Sequence, residues 1–361
     1  MLSVWEFQAV KALVTGGCGF IGSALVRRLV VAGHSVLNID KLTYAGDLRT
    51  VAAVADRPNY RFRQLDITDQ AAMAEAFCSF APDTVFHLAA ESHVDRSIDA
   101  PGAFVGTNLV GTYVMLHAAL AFWDALDADA RARFRFIHVS TDEVFGHLGP
   151  EGMFDEDSPY RPNSPYAASK AGADHLARAW HVTYGLPTII SNCSNNYGPF
   201  QNREKLIPTV IRKALLDQPI PIYGRGDNVR DWLYVDDHVA ALEAVAARGT
   251  VGGIYAIGGR SERNNLDLAR QICGLLDRQR PRSDGRSYEA RIDFVKDRPG
   301  HDFRYAIDPA KAERELGWHA GETLASGLAK TVAWYLARPD WTLGTAEAED
   351  RLGLKTATKF G

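Results

Sequence analysis

The chain is short of several things, and each shortage narrows what it is. Its 361 residues hold four cysteines, Cys18, Cys78, Cys193 and Cys273, scattered with no Cys-x-x-Cys spacing. That fits neither a disulfide framework nor a zinc site, so reduced thiols, a cytoplasmic setting and no bound metal are expected. Neither sign of charge dominates: 40 Lys and Arg face 44 Asp and Glu, a net charge of −4. No dense basic run is present, which argues against nucleic acid or a membrane surface as partner. Residues 1–9 lack the basic start and long apolar core of a secretion signal and read as an extension or docking arm. No later run approaches the roughly 18 apolar residues of a membrane span, and no internal repeat is visible. What remains is enough chain for a sheet-based domain plus a smaller one.

From Lys11 onward, short β-branched or apolar runs alternate with longer helical patterns, the signature of βαβ units and a parallel sheet. Strands are expected at residues 12–15, 35–39, 61–65, 84–88, 135–140 and 188–191, and apolar residues at helical spacing recur over 107–120. The fold class is therefore α/β: a doubly wound parallel (Rossmann) sheet with a smaller, discontinuous substrate-binding domain. After about Tyr197, Pro199, Pro208, Pro219 and Pro221 break the pattern. The run from Trp232 to Val239 reads as a strand entering a helix capped by Asp236 or Asp237, where the chain rejoins the first domain. The boundaries so drawn give a cofactor domain over 10–196 plus about 229–258, and a substrate domain over about 197–228 plus 259–345.

Gly16, Gly19 and Gly22, with Phe20 and Ile21 between them, follow the first strand and open a helix. Bare backbone there allows a sharp turn, close approach of a pyrophosphate to a helix N-terminus, and tight helix–sheet packing. Asp40 ends the second strand, where a carboxylate accepts from both adenosine ribose hydroxyls and repels a 2′-phosphate. NAD is thus preferred over NADP, a preference tempered by Lys41. Asp66-Ile67 closes the third strand; Asp66 either holds the adenine edge or caps the helix starting near Asp69. Leu88, Ala89 and Ala90 end the fourth strand, and the two alanines let the cofactor lie against backbone.

Tyr166 and Lys170 stand one helical turn apart, on one face. A nearby ammonium and an oxidised nicotinamide both favour the phenolate, which can take a proton from a substrate hydroxyl as its carbon loses hydride. Asp142 and Glu143 follow a strand end and need a further explanation, since hydride removal uses a single base. Two carboxyls in one site divide into acid and base, which is what elimination of water beside a ketone requires, with Thr141 donating to the developing oxyanion.

Four segments together resemble the dTDP-glucose 4,6-dehydratase family of extended short-chain dehydrogenases/reductases: residues 16–22, 89–98, 140–146 and 166–170. The likeness continues through 192–199, 204–208, 230–238 and 297–302, so it covers nearly all of the chain from about Lys11 to Trp318. It implies a cycle in which NAD is reduced and regenerated: Tyr166 with NAD oxidises C4 of the glucose, Glu143 takes the C5 proton, Asp142 protonates the departing C6 hydroxyl, and hydride returns to C6. It adds Leu42, Thr43, Ser92, Thr107 and Asn196 to the cofactor contacts. It also implies a sugar-nucleotide pocket of Ser92, Thr141, Asn195, Lys205, Leu206, Pro221, Ile222, Tyr223, Arg230, Asn265, Arg298 and His301. The guanidiniums of Arg230 and Arg298 suit diphosphate oxygens. A homodimer paired through helices near 107–121 and 165–184 is implied as well. The chain departs from the family at Phe200-Gln201-Asn202-Arg203, where Tyr-His-Phe-Pro is usual, and at Cys18, usually alanine. The rival readings are an NAD-dependent sugar-nucleotide 4-epimerase, a 4,6-dehydratase acting on another nucleotide-glucose, and an idle dinucleotide-binding scaffold.

Overall fold

The structure, a computed structural model, describes residues 9–343. The extension expected at the N-terminus, apart from Ala9, and the last two residues of the expected second domain lie outside the described residues. The first half of the chain runs β1 (Lys11–Thr15), α1 (Phe20–Val31), β2 (Ser35–Asp40), β3 (Tyr60–Gln64), α2 (Gln70–Phe80), β4 (Thr84–His87), α3 (Val94–Asp99), α4 (Pro101–Phe104), α5 (Thr112–Asp124), α6 (Ala128–Arg133), β5 (Arg135–Thr141), α7 (Pro165–Tyr184) and β6 (Thr188–Cys193). The second half runs β7 (Asn195–Tyr197), α8 (Leu206–Leu215), β8 (Ile220–Tyr223), β9 (Val229–Tyr234), α9 (Val235–Arg248), β10 (Ile254–Ile257), β11 (Glu262–Asn264), α10 (Asn265–Gln279), β12 (Ile292–Val295), α11 (Ala310–Leu316), α12 (Leu324–Ala337) and α13 (Pro339–Leu343). The six strands expected from sequence match β1–β6 to within two residues at each end.

Seven strands form one parallel sheet in the order β10-β6-β5-β4-β1-β2-β3. Apart from the edge strand β3, its strands are buried on both faces, which is why they read mostly as apolar runs instead of alternating ones. In β1, Val14 joins an apolar cluster with Leu25 and Leu29 of α1 and Leu242 of α9, while neighbouring Leu13 points into the opposite cluster with Met73 and Phe77 of α2 and Met115 of α5. Strand order reverses at β1, which pairs with both β2 and β4. In such sheets ligands bind at that switch point, beyond the carboxyl ends of the strands.

Two features differ from expectation. The N-cap of α9 is Tyr234, with no side-chain cap bond; Asp237 instead accepts from the Glu322 amide at 2.9 Å, and both acids sit in the first turn, where the helix dipole favours them. The continuous helical run Pro101–Asp124 is, by length and composition, apolar enough to cross a membrane, although no single apolar run in the sequence suggested it; half of it is buried inside the protein.

A separate apolar cluster lies under a three-stranded sheet, β11-β9-β7, and the β12-β8 pair. Helix α8 turns Ile207, Val210, Ile211 and Ala214 into it, spaced as one helical stripe. Burying such side chains contributes about 1.5–3 kcal/mol each for the larger ones. Trp232 and Tyr234 of β9, expected in the cofactor domain, belong to this cluster, while Ala312, Leu316 and Trp318, expected in the substrate domain, join the cluster of Val239, Leu242 and Tyr255 beside the large sheet. Helix α11 is too short to carry its own core and shields the β10 edge.

Candidate active site

The turn after β1 is built for close approach. Gly16 has φ +72°, and a Cβ there would lie 2.8 Å from the backbone N and Cα of Ala89; one on Gly22 would lie 2.2 Å from the Gly16 carbonyl oxygen. Among the described residues no side chain caps the start of α1, so its free amide end offers an anionic ligand a favourable dipole. Asp40 is held at the end of β2 by amides of Cys18 (2.9 Å) and Leu42 (2.8 Å), one to each oxygen. Burial pushes its carboxyl above the usual range, and those two amides oppose the shift.

A cavity of about 280 Å³ opens over this turn, lined by Gly16, Gly19, Phe20, Ile21, Gly22, Asp40, Lys41, Thr43, Asp66, Ile67, Leu88, Ala89, Ala90, Ser92, Thr107 and Asn196. Of the expected cofactor contacts, Leu42 alone does not line it: it packs against the apolar cluster beneath, its φ of +57° turning the chain after Asp40. Asp66 does not cap α2, whose N-cap is Asp69; it pairs with Lys41 at 2.5 Å on the cavity wall. Thr107 is presented by a π-helical turn, Val105–Gly111, that Asn108 ties to the Glu91 amide (2.9 Å) and the Ser169 hydroxyl (2.9 Å).

The same cavity is walled by Thr141, Asp142, Glu143, Tyr166 and Lys170. Ser164 caps α7 and Pro165 starts it, which sets Tyr166 and Lys170 on the inward face. Lys170 is buried and donates to the Val139 carbonyl at 2.8 Å. Thr141 ends β5 and its hydroxyl donates to Asp142 Oδ1 (3.2 Å) while accepting from the Glu143 amide (3.3 Å). Burial and then Glu143 push the Tyr166 phenol above its ordinary range, with the Thr141 hydroxyl opposing.

The two carboxyls differ. Asp142 is 2% exposed, its Oδ2 has no hydrogen-bond partner among the described residues, and burial with Glu143 and Asp231 beside it raises its carboxyl well above the usual range. Burial also raises Glu143, but Arg298, Lys205 and Arg230 pull it back toward the carboxylate. One acid is held protonated and the other faces three cations.

A second cavity of about 160 Å³ is lined by Leu206, Pro221, Ile222, Tyr223, Arg230, Asn265, Arg298 and His301, and it shares Glu143, Asn195, Asn196, Gln201 and Lys205 with the first. Every expected substrate contact lies on one cavity or the other, Ser92 and Thr141 on the first. The arginines are less free than the diphosphate argument assumes. Arg230 donates to the carbonyls of Val229 (2.7 Å) and Asp302 (3.0 Å) under the Tyr305 ring, and Arg298 pairs with Asp95 at 2.7 Å. Burial, then Arg298 and Arg230, push the His301 imidazole down to about 4.

The departure at 200–203 divides between two tasks. Phe200, at φ +67°, turns away into a cluster with Trp334, Trp341 and Arg27, while Gln201 lines both cavities. Asp95, His93, Glu204 and Tyr305 also line the second cavity and were not assigned from sequence. His93, Asp95 and Glu204 fall inside the motif segments, which was the available signal; Tyr305 needed the fold.

A Rossmann sheet carrying a glycine turn, a Tyr/Lys pair and an acidic couple defines an extended short-chain dehydrogenase/reductase. The family described as GDP-mannose 4,6 dehydratase matches residues 13–331. A dTDP-glucose 4,6-dehydratase of Shigella flexneri is 54% identical over 342 residues, covering 92% of this chain and 94% of that one. The crystal structure of a dTDP-glucose 4,6-dehydratase from Streptomyces venezuelae, solved with NAD bound, is 42% identical, with TM-score 0.84 and coverage of 92% and 98%. A Thermotoga maritima UDP-glucose 4-epimerase has a TM-score of 0.81 at 26% identity, over 91% and 99% of the two chains. The chain belongs to the dTDP-glucose 4,6-dehydratase family.

Proposed function

We propose that the protein converts dTDP-glucose to dTDP-4-keto-6-deoxyglucose. The observation that carries this reading is the meeting of the two cavities at Glu143, with Asp142 and Tyr166 on the wall of the first. The turn at Gly16 and Gly22, whose missing Cβ atoms leave room only for bare backbone, fits NAD. Gly16, Asp40, Asp66, Thr107 and Lys170 hold it, and when bound it supplies the acceptor for the C4 hydride and the donor to C6. Tyr166, whose ionisation the Lys170 ammonium and the bound oxidised nicotinamide favour, takes the C4 hydroxyl proton as a phenolate. Glu143, kept basic by Arg298, Lys205 and Arg230, takes the C5 proton that the ketone acidifies, and protonated Asp142 gives its proton to the leaving C6 hydroxyl. Glu143 then returns a proton to C5 as hydride reaches C6. Thr141 donates to the oxygen at C4.

Residues 197–228 and 259–343, apart from α11, form the sugar-nucleotide unit in this reading. The exposed apolar residues Val105, Val110, Tyr113, Val182 and Tyr184, on the two helical runs expected to pair, support a homodimer. The cytoplasm is the proposed setting.

Incubation with the dTDP, UDP, CDP and GDP forms of glucose tests the reading. A 4-keto-6-deoxy product from the dTDP sugar, formed faster than from the others, is expected. Formation of galactose epimer alone would make the protein an epimerase, and no product from any sugar would leave only the idle scaffold.

A further inference from the structure

Beneath the reacting centre lies a second acid that the proposed mechanism leaves unused. Asp174 is 1% exposed and sits one helical turn after Lys170 on the same face of α7. Its two oxygens take four hydrogen bonds: His138 Nε2 at 3.0 Å on one, and the Ser140 hydroxyl (2.8 Å), the Tyr160 hydroxyl (2.9 Å) and Asn192 Nδ2 (3.1 Å) on the other. Asn192 Nδ2 also reaches the Thr141 carbonyl at 3.2 Å. A carboxylate so surrounded is fixed in place and ionised.

We propose that Asp174 is a positioning residue for the reaction: its carboxylate is the buried counter-ion that keeps Lys170 an ammonium, and its hydrogen bonds lock the strand ends that carry Thr141. This rests on the dehydratase reading, which gives Lys170 its task beside Tyr166.

The groups facing Lys170 single out Asp174. They are Tyr166 on its own helix, His87 on β4, His138 on β5 and Cys193 on β6. Burial drives both histidines down, so they are neutral, and drives the Cys193 thiol up to about 12, so it too is neutral. Burial raises the Tyr166 phenol. Asp174 is then the nearby full negative charge, and it heads the influences that oppose the burial of Lys170. An ammonium buried without one gives up its proton.

The test is Asp174→Asn, which keeps shape and most hydrogen bonds. Single-turnover NAD reduction with dTDP-glucose should slow about tenfold, the basic limb of the rate profile should move down by about one pH unit, and KM should hold. Tyr160→Phe, which removes a hydrogen bond and leaves the charge, should leave that limb in place. Should Asp174→Asn fold poorly, thermal unfolding of Asp174→Asn and of the double variant with Lys170→Met decides: removing the unpaired ammonium should restore stability. An unmoved basic limb in Asp174→Asn, or additive losses in the double variant, would overturn the assignment. Absence of any product with wild-type protein would instead sink the dehydratase reading itself.

Discussion

Arg298 and Asp95 form a 2.7 Å ion pair that ties the loop after β12 to helix α3, on the wall of the second cavity. Burial works against the Asp95 carboxylate, but Arg298, His93 and the Tyr223 hydroxyl, which donates at 3.0 Å, hold it below the usual range. A depressed carboxyl stabilises the fold above its unfolded pKa and loses that contribution as pH falls through the folded value. Asp95→Asn should therefore destabilise the protein by about 3 kcal/mol at pH 7. The gap from wild type should begin to close only as pH falls below about 4, toward the folded value; chemical denaturation at pH 7 and at about pH 3 measures it.

Asp142 has the opposite sign. Its raised carboxyl means that the folded state holds a proton the unfolded chain releases, so stability falls as pH rises from the unfolded pKa toward the folded one. Asp142→Asn should abolish dehydration yet raise the melting temperature by about 2 °C or more at pH 8. Little change is expected near pH 4, and melting curves at the two pH values check it.

Gly16→Ala should fail as a cofactor protein. It places a side chain at φ +72° and 2.8 Å from Ala89 backbone, and strain of this kind costs about 2 kcal/mol. Loss of NAD retention on gel filtration with a lowered melting temperature is the expected result.

Phe200→Ala probes the family departure. The ring meets Trp334 at 4.6 Å and Arg27 at 4.6 Å, away from both cavities. Stability should drop by about 1–2 kcal/mol with kcat for dTDP-glucose retained; urea unfolding and steady-state rates report the two.

Much of this was legible in the sequence because period and punctuation carry it. The strands before Gly16 and Asp40 are fully buried runs, and the Tyr166/Lys170 spacing already places both side chains on one helical face. The hidden parts depend on distant contacts. The resemblance puts Leu42 among the cofactor contacts, but a left-handed backbone packs it against the apolar cluster beneath the cavity. Arg298 reads as a free diphosphate ligand until the fold brings Asp95, about two hundred residues earlier, against it. The π turn at Thr107 and the helix of α11 beside β10 follow from packing, which overrides local propensity.

The most direct test is Glu143→Gln, mixed with dTDP-glucose and followed at the absorbance of reduced nicotinamide. The account predicts that NADH accumulates on the enzyme with no 4-keto-6-deoxy product, since Tyr166 still oxidises C4 but the C5 proton has no acceptor. Dehydration at the wild-type rate in that variant would contradict it.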